Sequence, residues 1–95
     1  MMLIEVTHMR SPHDSIPQKK TVVRESLTDL FIELLKNETL RMLVDKGCSL
    51  DTEHRGEHEL VIECSHDTLP LYGCWHLRMI KVLKKERNDS STNLN

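Results

Sequence analysis

Ser26 to Gly47 reads SLTDLFIELLKNETLRMLVDKG, and the way this stretch folds decides how the rest of the chain is arranged. Leu27, Leu30, Phe31, Leu34 and Leu35 recur at helical spacing, and Met42 and Leu43 resume the pattern beyond the polar Asn37-Glu38-Thr39. Ser26, three residues ahead of Asp29, offers a hydroxyl to the free amides of a first turn, and Asp29 suits its positive end. Lys46 and Gly47 read as the finish, because glycine takes the left-handed conformation beyond a helix end without steric cost. No Gly or Pro interrupts the stretch, so the spacing predicts one long helix, with a break near Asn37 as the alternative.

Around this helix the segments are short. Leu3 to His8 alternates, with Ile4 and Val6 on one face and Leu3, Glu5 and Thr7 on the other, as in a half-buried strand. Residues 9–20 form a polar connection whose Pro12 and Pro17 disfavour regular structure. Thr21 to Val23 is β-prone but very short. Cys48 to His58 is strongly polar and reads as a loop. Glu59 to Cys64 (ELVIEC) is the clearest strand, with Leu60, Ile62 and Cys64 sharing a face. Leu69 to Tyr72 reads as an irregular partner segment because Pro70 cannot donate to a ladder. Trp75 to Arg87 returns to helical spacing: Trp75, Met79, Val82 and Leu83 form a stripe, and Arg78, Lys81, Lys84 and Lys85 face water.

The order predicts a small α+β domain over residues 1–87, a short antiparallel sheet packed against the long central helix and a C-terminal amphipathic helix. An all-helical arrangement is the alternative. Leu30, Phe31, Leu34, Met79 and Leu83 are the expected core. The polar residues 88–95 have nothing to pack and are expected to be a disordered tail.

Ninety-five residues make one domain at most, with aromatic side chains only at Phe31, Tyr72 and Trp75. So small a domain has a thin stability margin unless a subunit, metal or disulfide adds to it. No apolar run approaches the roughly 20 residues needed to span a bilayer. The start has no basic leader or long apolar segment, and three cysteines make an odd count. The expectation is a cytoplasmic protein with reduced thiols.

The net charge of −2 conceals an uneven distribution. The first 44 residues balance. Asp45 to Asp67 carries seven acidic and two basic side chains, and Thr68 onward carries five basic and two acidic. A chain with this polarity is suited to oriented pairing with itself or with a charged partner, and it lacks one uniform field for nucleic acid.

Chemistry-bearing patterns are sparse. Cys64 and His66, then Cys74 and His76, place a thiol and an imidazole two residues apart, the donor types zinc prefers. On a strand such residues share a face but stand roughly 6 to 7 Å apart, so shared ligation needs turns at both pairs. Cys64 also occupies the position of an ordinary buried thiol. His54 and His58 flank Gly56 and lack the helix that gives a zinc-protease motif its meaning. No serine elbow, phosphate loop or dinucleotide fingerprint is present, so no enzyme is expected.

Leu40, Met42, Leu43 and Val44 spread apolar surface around most of a turn, more than a short sheet covers. The resulting expectation is a non-enzymatic protein-interaction or regulatory module, an adaptor, inhibitor or accessory protein, which forms a homodimer. Leu40 and Val44 are its expected contacts, with Arg78, Lys81 and Lys85 facing an acidic partner. Two alternatives stand beside it: a nucleic-acid-binding regulator using the basic C-terminal helix, and a small zinc module held by Cys64, His66, Cys74 and His76.

Overall fold

The computed structural model describes residues 1–83, and they are dominated by a sheet. Five strands and two helices follow in the order β1 (Met2–Met9), β2 (Gln18–Arg24), α1 (Leu27–Leu34), α2 (Glu38–Asp45), β3 (Ser49–His54), β4 (Glu59–Ser65) and β5 (Tyr72–Val82). Across the sheet the strands run β2-β1-β5-β4-β3, and every neighbouring pair is antiparallel. β5 is the central and longest strand.

Strand alternation sorts the side chains between two faces. Ile4 and Val6 of β1, Trp75 and Leu77 of β5, and Leu60, Ile62 and Cys64 of β4 lie on one face and are buried. Leu30 of α1 and Leu40 and Leu43 of α2 close over them, with Phe31 and Leu34 partly buried at the margin. The other face has no helix on it among the described residues. An antiparallel sheet tolerates this arrangement, because alternate residues can be polar.

The long central helix expected over 26–46 is two helices of eight residues each. Asn37 ends the first and caps the second. Its backbone is extended (φ −70°, ψ 136°), and its Oδ1 accepts from the amides of Thr39 at 2.9 Å and Leu40 at 3.2 Å. Asparagine competes for backbone donors in this way without help from Gly or Pro. The break turns Leu40 and Leu43 back onto the sheet. At the outer ends the expected signals hold: Ser26 Oγ accepts from the Asp29 amide at 3.1 Å, and Gly47 has φ 97°.

The C-terminal amphipathic helix is also overturned. Tyr72 to Val82 is a strand, with Trp75 and Leu77 on the covered face and His76 and Arg78 on the other. WHLRMIKV satisfies a two-residue period as well as a helical one, and pairing on both sides with β1 and β4 supports the former. Met79, an expected core residue, is half-buried opposite Ile4, and Leu83 is half-buried beyond the strand. The expected loop at 48–58 contains β3, and the polar connection at 9–20 ends inside β2. Residues 84–87 of the expected domain and the expected tail at 88–95 lie outside the described residues.

Gly73 has a packing role on the covered face. A Cβ there would stand 2.7 Å from Leu43 Cδ1 and 3.0 Å from the Trp75 ring. The absent side chain lets α2 sit directly on β5.

Candidate interaction surfaces

The open face carries three polar pairs, built from residues that alternate with the core. Arg78 Nη2 donates to Glu5 Oε1 at 3.0 Å across β5 and β1. His76 Nε2 lies 3.3 Å from Glu59 Oε2, and the Tyr72 hydroxyl donates to Glu63 Oε2 at 2.8 Å. The hydrogen bond from Arg78 holds the Glu5 carboxyl below its usual range, while burial, reinforced by the bond to Glu63, pushes the Tyr72 hydroxyl upward. Each polar group of this set is held by a partner on the neighbouring strand. They form a wettable face rather than a reactive cluster.

This geometry relocates the residues expected to bind partners. Leu40 is only 2% exposed, so it belongs to the core and cannot meet a partner as expected. Val44 is exposed on α2. Arg78 and Lys81 lie on β5, so they do not form the basic helical face expected for an acidic partner or nucleic acid, and Arg78 is engaged with Glu5. Lys85 lies outside the described residues.

The Cys/His pairs are also separated. Cys64 faces the helices beside Gly73 in register, whereas Cys74 and His76 face the opposite side of the sheet. His66 caps the following turn, its Nδ1 accepting from the amides of Thr68 and Leu69 at 3.1 and 3.0 Å. Burial raises the pKa of both the Cys64 and Cys74 thiols, which favours the protonated form over the thiolate a metal needs. Among the described residues no group of three or more His, Cys, Asp or Glu side chains is placed to hold an ion.

The two sheet edges differ in charge. Among the described residues β2 pairs only with β1, and it presents Lys19 and Lys20; its Arg24 forms a two-pronged ion pair with Glu33. Among the described residues β3 pairs only with β4; it is exposed along its whole length and presents Asp51 and Glu53. Arg55 in the following turn reaches Glu53 at 3.2 Å, an exposed contact of little energetic weight. β3 lacks the lysine, proline and bulge that usually blunt an edge.

A groove of about 320 Å³ opens between the β1–β2 side of the sheet and the junction of α1 with α2. Val6, Leu34 and Trp75 line its apolar part. His8 stacks on Trp75 with ring centroids 4.5 Å apart and planes 7° from parallel. Gln18, Lys20, Asn37 and Thr39 supply polar groups to its lining. His8 Nε2 is buried with no hydrogen-bond partner among the described residues, and burial holds the ring's pKa below its ordinary value despite a polar contact with Gln18. Sequence reading passed over this site. His8 sat at the end of a short strand, and nothing in composition or spacing joins it to Trp75 or Asn37.

The architecture defines a five-stranded antiparallel α+β sheet domain, covered by helices on one face. No family model, curated protein or solved structure matches this chain. No helix among the described residues is long and apolar enough to cross a membrane.

Proposed function

We propose that this protein is a non-enzymatic protein-interaction module that associates with copies of itself by sheet extension, β3 of one copy against β2 of the next. The opposite charge of the two edges of the sheet, neither paired further among the described residues, supports the reading. Each edge offers backbone donors and acceptors to a further strand. Pairing β3 with β3 would bring Asp51 and Glu53 against their own kind, and pairing β2 with β2 would do the same for Lys19 and Lys20. Like charges opposite one another in a ladder are unfavourable, whereas opposite charges support the mixed pairing.

The strand directions are compatible with this arrangement. β2 and β3 run the same way in the sheet, since three antiparallel steps relate β2 to β4 and a fourth reaches β3. A copy that continues the sheet with its helices on the same side pairs the edges in parallel. The smallest such assembly is a homodimer with one acidic and one basic edge still free.

Sedimentation velocity over a concentration series, at low and high salt, tests the reading. The expected result is concentration-dependent association that weakens with salt. Lys19→Glu and the double variant Asp51→Lys/Glu53→Lys should each associate less on their own and recover association when mixed. A wild-type protein that stays monomeric at low salt would overturn the proposal, as would association unchanged in both variants.

A further inference from the structure

The groove between β2 and the α1–α2 junction shares its lysines with the basic edge and adds polar donors from α2 that the edge pairing does not use. Its lining holds two lysines, Lys19 and Lys20, and no carboxylate among the described residues, in a chain with 15 acidic side chains. Lys20 occupies the helix-facing side of β2, in register with Val6. Across the groove stands the start of α2, where the peptide dipoles present their positive end. Asn37 Oδ1 is already bonded to two amides of that turn, so its NH₂ is the remaining donor. Thr39 adds a hydroxyl. His8 belongs to the same lining, where its ring stacks on Trp75.

We propose that this groove binds a small organic anion, with its carboxylate or phosphate between Lys20 and the start of α2 and its apolar part against Val6, Leu34 and the His8–Trp75 stack. Positive charge, neutral donors and a stacked aromatic floor converge on one concavity. Its volume is at the small end of ligand pockets, which run from about 300 to 1,000 Å³ and combine apolar walls with a few placed polar groups. The His8–Trp75 stack supplies such a wall, and Val6 and Leu34 extend it. The ligand's charge would replace solvent around Lys20.

NMR titration of the isotope-labelled chain tests this with three probes: inorganic phosphate, benzoate and the neutral benzamide. The expected result is saturable shifts of the His8, Lys20, Asn37 and Thr39 amides and the Trp75 indole with at least one anion. Benzamide should produce none. The stronger anion identifies the headgroup as phosphate or carboxylate. Lys20→Gln, at an exposed position that leaves the core intact, should weaken binding about tenfold, the scale of one lost charge-assisted hydrogen bond. Lys46→Gln, at the far end of α2, should not change it. Absence of saturation with both anions, equal binding of benzamide, or unchanged affinity in Lys20→Gln would overturn the proposal. Self-association is read separately, so failure of either proposal leaves the other standing.

Discussion

The two faces of the sheet come from the same strands and the same stretches of sequence, yet they do opposite work. On the covered face Ile4, Ile62, Cys64 and Leu77 have no exposure, and the helices add Leu30, Leu40 and Leu43. On the open face the intervening residues Glu5, His76, Arg78, Glu59 and Glu63 are at least partly wet and are tied in pairs. Removing apolar surface from water contributes roughly 25 cal/mol per Å², whereas exposed ion pairs contribute little. Folding free energy should therefore be concentrated on one face, leaving the other free to vary in charge.

The sharpest test is Leu77→Ala. Leu77 is unexposed on the central strand, between Val6 and Leu60 in register, and truncation there should cost about 2–5 kcal/mol. Against the typical ~5–15 kcal/mol stability of a domain, that loss should be plain in urea unfolding. Gly73→Ala adds volume on the same face. Its new Cβ would meet Leu43 and the Trp75 ring, at an expected cost of about 1–3 kcal/mol in the same assay. A neutral result would mean that α2 can lift from β5, and the contrast between the faces would weaken.

Asn37→Ala probes the helix layer itself. It removes a side-chain cap with two amide contacts and should lower stability by about 1 kcal/mol, read as a shift in the denaturation midpoint. Acidification separates the faces by pH. Burial on the covered face favours the neutral His8 ring, Arg10 adds to that, and Asp14 and Gln18 oppose it. The unfolded chain then takes up the proton first, so stability is full above the free imidazole range near 6.5 and declines as pH falls through it. His8→Gln should flatten that part of the stability–pH curve. Glu5 behaves oppositely in type: its lowered pKa gives stability present above the ordinary carboxyl range and lost only at more acidic pH. The smallest effect belongs to Arg78→Gln. Its exposed pair with Glu5 should leave the melting temperature nearly unchanged, and a large drop would break the comparison.

Much of the sheet was legible where alternation coincided with burial. β1 and β4 announce themselves through Ile4 and Val6 and through Leu60, Ile62 and Cys64. β3 could not be read the same way, because all six residues are exposed and carry no apolar period. β2 hid behind Gln18, Lys19 and Lys20, an edge sequence without a core face along half its length. β5 failed for a different reason. Trp75, Met79, Val82 and Leu83 fit a helix while Trp75 and Leu77 fit a strand, and only pairing with β1 and β4 separates the two. The expected zinc ligands were near in sequence but divided by the sheet. The groove joined His8, Lys20, Asn37 and Trp75, which no local pattern connects.

The sequence by itself determined the local events: the Ser26 cap, the left-handed Gly47, the alternation of β1 and β4, and the clustering of acidic residues after Asp45. Each depends on neighbours a few positions away, where backbone preference and side-chain spacing act directly. Tertiary structure decided which of two periods β5 would obey, brought Asn37 and Lys20 to the two sides of one groove, and set an acidic edge opposite a basic one across the sheet. Those outcomes depend on contacts between distant segments, and strand pairing and burial override weak local preference once such contacts form.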